Sequence, residues 1–268
     1  MRLDCTLVAA AVVIDRMPGA SDARRTGRVL LLGAIPAALV FLQPDLGTSL
    51  VYGVITLAVL YIAGTKWQHF AVLGALVAAA VTVVLVVAPA LGKPILQPYQ
   101  QERLTAFLSP SEDPADSSYQ IRQSQIAIGS GGKAGRGDDA TQTRDGFLPE
   151  RHTDFIFATV GERYGFAGAA FVLSLFALLI WRALRIMTLS KNLYGAIIAG
   201  SIAAMLMFQV FVNVGMNIGI APITGIPLPL MSSGGSSVIV TFLAIGLLQS
   251  IYVQSQLASR SREDPLLR

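Results

Sequence analysis

One hydrophilic segment, residues 93–153, separates two groups of apolar runs, and that arrangement leaves the chain few folds to choose from. Ahead of it lie apolar stretches at 29–42, 49–63 and 70–91; behind it come 155–181, 194–220 and 236–253. A hydrocarbon core of about 30 Å takes roughly 20 apolar residues in a helix. The later runs reach that length. Among the early ones 70–91 reaches it too, and 29–42 comes close once the flanking Arg28 extends to the interface. Composition points the same way: 13% of residues are charged and mean hydropathy is +0.61, whereas soluble domains carry about 25% charged residues. The expected fold is all-α, a polytopic membrane bundle of about six transmembrane helices. Its parts are an N-terminal segment (1–28), three helices (29–92), a large outer loop (93–153), three more helices (154–255) and a tail (256–268). Within the second group of helices, a proline- and glycine-rich outer segment occupies 221–235.

Basic residues set the orientation. One side receives Arg2, Arg16, Arg24, Arg25, Arg28, Lys66, Arg182, Arg185, Lys191, Arg260, Arg262 and Arg268, while the opposite short loops 43–48 and 221–235 contain no Lys or Arg. The positive-inside bias then places both termini in the cytoplasm and residues 93–153 outside. The single Cys5 excludes an internal disulfide, and two histidines, His69 and His152, are too few for a histidine-rich metal site. The first residues resemble a signal peptide superficially, but the apolar part is short and no clean cleavage site precedes Asp15 and Arg16.

The titratable groups concentrate at the end of the hydrophilic segment, in TQTRDGFLPERHTDF (141–155). A helix starting at Pro149 would stack Glu150 and Asp154 on one face, where paired carboxylates suit general-base work. Asp154 equally suits a helix N-terminus, where an acid satisfies free backbone N–H groups. Arg136, Arg144 and Arg151, with Lys133, offer planar or point charges to an anionic headgroup, or simply solvate the loop.

Other polar features lie in or beside the spans. Glu162 and Arg163 are costly there and mark either function or an ion pair with another span. Asn213 and Asn217, one turn apart, either glue helices together or line a cavity, and Gln209 follows the same spacing. The cluster Gly129, Gly131, Gly132, Gly135 and Gly137 lacks the strand and the GK[ST] ending of a nucleotide loop, so it reads as tight turns and close backbone approach. Pro222, Pro227, Pro229, Gly234 and Gly235 indicate a broken or re-entrant segment, tolerated where protein covers it.

The stretches QPDLGT, IRQSQIAIGSGGKAGRG, TQTRDGFLPERHTDFIFA and FVNVGMNIGIAPITGIPLPLMSSGG resemble the SEDS family of shape, elongation, division and sporulation proteins in order, spacing and membrane context. The resemblance covers roughly 30–255, and LPERHTDFIF favours the elongation branch over the division branch. It implies a glycosyltransferase that polymerises lipid II, the undecaprenyl pyrophosphate-linked disaccharide-pentapeptide, into glycan strands during elongation and rod-shape maintenance. Asp154 matches the family's essential aspartate, with Glu150, Arg151, His152 and Thr153 shaping its site. Gln43, Pro44, Asp45 and Gly47 match the family's outer turn. Ser232 to Ser236, including Gly234, match the motif before the last span, where the family has tyrosine at Ser233. Gln142, Arg136, Arg144, Glu162, Asn213 and Asn217 join the set as substrate-binding or site-shaping residues. Arg163 stands where the family has a second carboxylate.

No organic cofactor is implied, with a divalent cation as a candidate helper. The implied partners are a class B penicillin-binding transpeptidase and other elongation-complex membrane proteins, and no nucleic acid. Family members carry further spans and a QPSE-type motif ahead of the matching region, so the chain is expected to be a shortened member. Two other functions fit the residues: a transporter of lipid-linked precursors, and a non-catalytic scaffold for the transpeptidase. A transporter's key polar groups belong near the membrane midplane, which the position of Asp154 disfavours.

Overall fold

A computed structural model describes residues 22–43, 45–90, 116–141 and 152–263, and every regular element among them is helical. The helices are α1 (Asp22–Phe41), α2 (Leu46–Ile62), α3 (Trp67–Thr82), α4 (Asp116–Gly131), α5 (Ile156–Leu189), α6 (Leu193–Asn217) and α7 (Gly235–Glu263). α3 continues through a π-helical turn, Val83–Val87, into Ala88–Ala90. Three helices are long and apolar enough to cross a membrane: Ile156–Leu189, Leu193–Asn217 and Gly235–Ser259. Shorter apolar helices occupy Thr26–Phe41, Leu46–Ile62 and Trp67–Thr82, in keeping with about six apolar helices among the described residues.

Local chemistry explains the ends. Asp45 caps α2, its carboxylate accepting from the Thr48 N–H at 2.9 Å. At the other end Gly64 takes a left-handed conformation (φ 78°), so that the Thr65 N–H reaches the Leu60 carbonyl at 3.1 Å. The same glycine device closes α6, where Gly219 (φ 80°) lets the Ile220 N–H reach the Gly215 carbonyl at 2.8 Å. Asn192 caps α6 through the Gly195 N–H, and its short turn makes α5 and α6 antiparallel neighbours.

α6 is the centre of the bundle. Two-thirds of its apolar window (67%) is buried, against 11% and 17% in α5 and α7. Val59 and Leu60 of α2, Ala183 and Ile186 of α5, Ile197, Ile202 and Leu206 of α6, and Ala244 and Leu248 of α7 form the main core. α3 buries none of its residues and leaves Val72, Leu76 and Val77 exposed.

Two sequence-based expectations change here. The hydrophilic segment is not all loop, because α4 lies within it and packs along α5. Nor does α5 begin at Pro149: residues 152–155 form a turn and the helix starts at Ile156. Asp154 is not the N-cap of α5, which is Phe155, and the stacking of Glu150 under Asp154 falls on a residue outside the described ones.

Candidate functional site

The turn 152–155 is held by side chains from two distant segments. The His152 carbonyl accepts from both the N–H and the hydroxyl of Ser233, each at 2.7 Å. The Thr153 carbonyl accepts from the Ser232 hydroxyl at 2.7 Å. The Asp154 carbonyl accepts two carboxamide N–H groups, from Asn213 at 3.0 Å and Asn217 at 3.1 Å. Phe155 then buries its ring (1% exposed) against Ile121, Ala127 and Ile223.

Each clamp residue does a second task. Asn213 also donates to the Ile226 carbonyl at 2.9 Å, tying α6 to the irregular segment. Asn217 accepts the Ala158 N–H on its Oδ1 at 3.1 Å, so a side chain of α6 caps the first turn of α5. The Asn217 carbonyl takes the Ser124 hydroxyl of α4 at 2.8 Å. Ser232 accepts the Leu228 N–H at 2.8 Å while donating to Thr153. Asn213 and Asn217 are fully buried; of the two readings offered by their spacing, the structure selects glue between segments. A bond of this kind contributes about 1 kcal/mol, whereas an orphaned buried partner costs about 1–3 kcal/mol.

The segment 221–234 is irregular and partly covered by protein, with Ile226 (2%), Leu228 (0%) and Ser232 (3%) buried and Gly225, Leu230 and Ser233 exposed. Its backbone is satisfied from within: the Met231 and Ser232 N–H groups both reach the Leu228 carbonyl, with Leu230 left-handed between (φ 63°). Gly234 opens α7, its carbonyl accepting from Val238 at 3.1 Å. Gln43 and Asp45 are exposed, and Asp45 serves α2 as its cap. The neighbouring Gly47 presses against Thr224 and Ile226, where a Cβ would collide. The outer turn thus supports the same segment that Asn213 binds.

Glu162 is buried (0%) and its carbonyl accepts the Arg136 N–H at 2.9 Å. The Arg136 guanidinium is exposed and meets Thr141 at 3.5 Å. Arg163 pairs not with another span but with Asp138 of the short 3-10 turn Gly137–Asp139, at 3.1 Å on the surface. Gly131 and Gly135 touch the backbone of α5 at Gly161 and Arg163, and the Phe166 N–H bonds the Gly132 carbonyl at 2.8 Å. Gln209 lies apart, lining a cavity of about 280 Å³ with Thr48, Ser236, Ser237 and Thr241. Gln142, Arg144, Glu150 and Arg151 lie outside the described residues. Sequence reasoning missed Ser124. Its only signal was a position three residues from both Ile121 and Ala127, on one helical face.

The result is a half-buried carboxylate, Asp154, on a turn whose carbonyls are taken up one after another. Such a group can accept a proton at a fixed place.

The model of the FtsW/RodA/SpoVE cell cycle proteins matches residues 1–257. The chain belongs to this family. The match takes in the first 29 residues as well, ahead of the motifs that carry the sequence resemblance. Among curated relatives, peptidoglycan glycosyltransferase MrdB of Escherichia coli is 41% identical over 239 residues, which is 89% of this chain and 63% of that protein. Stage V sporulation protein E of Bacillus subtilis is 38% identical over 229 residues, 85% of this chain and 60% of that one. The chain thus spans about three-fifths of the length of these SEDS relatives. Two solved structures share the fold. A chain from a peptidoglycan synthase complex matches with TM-score 0.76 and 33% identity, covering 93% of this chain and 68% of that one. The rod shape determining protein RodA of Thermus thermophilus matches with TM-score 0.61 and 28% identity, covering 93% and 63%.

Proposed function

We propose that this SEDS protein acts as a peptidoglycan glycosyltransferase that polymerises lipid II, with Asp154 as general base. The observation that carries the reading is the clamp: four side chains from α6 and 232–233 engage the carbonyls of His152, Thr153 and Asp154. A fixed backbone lets a carboxylate meet an acceptor hydroxyl without first being ordered, which is where positioning lowers a barrier. In this reading Asp154 takes the proton of the acceptor sugar hydroxyl. The hydroxyl oxygen bonds to the donor's anomeric carbon, and the bond to the pyrophosphate oxygen breaks with its electron pair. Undecaprenyl pyrophosphate leaves.

The distribution of Lys and Arg supports an outward-facing site with both termini in the cytoplasm. The likeness to a chain of a peptidoglycan synthase complex supports a partner, proposed as a class B penicillin-binding transpeptidase. The sequence LPERHTDFIF supports the elongation role. Among the described residues no three His, Cys, Asp or Glu side chains converge to hold a metal ion.

The test is polymerisation of lipid II by the purified protein, alone and with the transpeptidase, against Asp154→Asn. Polymer from the wild type and none from the variant is the expected result. Equal polymer from both overturns the base assignment, and none from either favours the scaffold.

A further inference from the structure

At the end of the bundle opposite Asp154, a cavity of about 320 Å³ opens between the start of α6 and the second half of α7. Its wall on α7 is the stripe Leu247, Ser250, Ile251, Gln254, Ser255 and Ala258, one helical face. Facing it are Lys191, Tyr194, Gly195 and Ile198. The cavity is graded: Leu247 and Ile198 line it towards the bundle interior, while Lys191 and Gln254 stand at the end nearest the α5–α6 turn.

Its polar groups fall into two kinds. Ser190, Asn192 and Ser255 are engaged locally, Ser190 and Asn192 with each other and Ser255 with the Tyr252 carbonyl. Lys191, Ser250 and Gln254 line the cavity and are exposed. No carboxylate is among the residues lining the cavity, and the sequence contains no Asp or Glu between Glu162 and Glu263. Two more cations mark the same level: Arg182 lies over the Tyr252 ring at 5.0 Å and Arg185 over Trp181 at 5.5 Å. Half-exposed Trp with flanking Arg is the signature of the headgroup layer.

We propose that this cavity seats the phosphate of an anionic phospholipid headgroup. Lys191 is its counter-ion, Ser250 and Gln254 its neutral donors, and the Leu247–Ile198 end holds the first acyl carbons. Basic pockets between transmembrane helices take anionic headgroups for this reason: the cation stays at headgroup depth while the glycerol and chains remain in apolar surroundings.

The test is native mass spectrometry of the full chain after reconstitution in equal mixtures of phosphatidylglycerol and phosphatidylcholine. Phosphatidylglycerol should be retained in preference, and Lys191→Ala should lower that retention about fivefold, the loss of one lysine contact at a membrane surface. Lys191→Arg should keep it, and Gln254→Ala should weaken it less than Lys191→Ala. Thermal midpoints in pure phosphatidylcholine, equal for all four proteins, show that the fold survives. Equal retention of the two lipids, or undiminished preference in Lys191→Ala, overturns the proposal. So does retention of inorganic phosphate from solution with no preference among lipids, which would make the cavity a free-anion site.

Discussion

α5 is secured at two places by opposite means. Before its first turn, the carbonyls of His152, Thr153 and Asp154 are taken by side chains: Ser233, Ser232, Asn213 and Asn217. Two turns further on, at Gly165, the helix breaks (φ 64°, ψ −163°) and is held by bare backbone. There the Arg136 N–H reaches the Glu162 carbonyl at 2.9 Å, while the Phe166 and Ala167 N–H groups reach Gly132 and Lys133 at 2.8 and 3.2 Å. Side chains can span a gap and aim, so they suit a turn that must present one carboxylate. Backbone contact tolerates no side chain between the strands of chain, so it suits locking two elements at close range. The first device positions a group; the second fixes a joint.

Four substitutions break or sharpen that contrast. The largest stability effect belongs to the backbone joint. Gly131→Leu forces a Cβ into the Gly161 carbonyl, so α4 and α5 must separate, at a cost of about 3 kcal/mol. A thermal unfolding midpoint in detergent equal to that of the wild type would remove the joint's role. Asn217→Ala comes next, because it strips a donor from the Asp154 carbonyl and the acceptor from the Ala158 N–H. It should cost about 2 kcal/mol and lower the polymerisation rate about 100-fold through misplacement of the carboxylate. If stability falls but the rate does not, the clamp is structural only.

Ser232→Ala loses the bonds to Thr153 and Leu228 and should cost about 1–2 kcal/mol. Combined with Asn217→Ala, its effect on rate should depart from additivity, since both hold one turn. Additive losses would mean that the two residues act separately. The smallest effect is Arg163→Ala: both partners of its pair with Asp138 are exposed, so the loss should stay below about 1 kcal/mol. A larger loss in the midpoint, insensitive to salt, would mean that the pair, and not the glycine backbone, holds the joint.

Much of this was legible in the chain itself, and the exceptions have causes. Asn213 and Asn217 stood out as amides at helical spacing in an apolar run, and the glycine cluster stood out as close backbone approach. Proline followed by an acid at 149–150 is a strong local signal for a first helical turn, whereas the apolar run begins at 155 and α5 starts beside it, at Ile156. The clamp overrides the proline signal by holding 152–155 as a turn. α4 was hidden because its buried face is small, with Ile121, Ser124 and Ala127 set among polar residues. Of the two readings of Arg163, an ion pair is what the structure has, but its partner Asp138 was not legible because it lies 25 residues away in a short turn with no periodic signal.

Run length and composition are local sums, and they determined the membrane class and the apolar helices, while the family resemblance rests on the order and spacing of particular residues. The capping of α2 by Asp45 and the glycine stops at Gly64 and Gly219 are equally local, decided within a few residues. Which groups hold Asp154 was settled only in three dimensions. Its clamp residues lie 59 and 63 positions away, and those of Thr153 and His152 lie 79 and 81 away. A hydrogen bond selects partners by distance and angle, and no pattern along the chain encodes those until α6 and the irregular segment have packed.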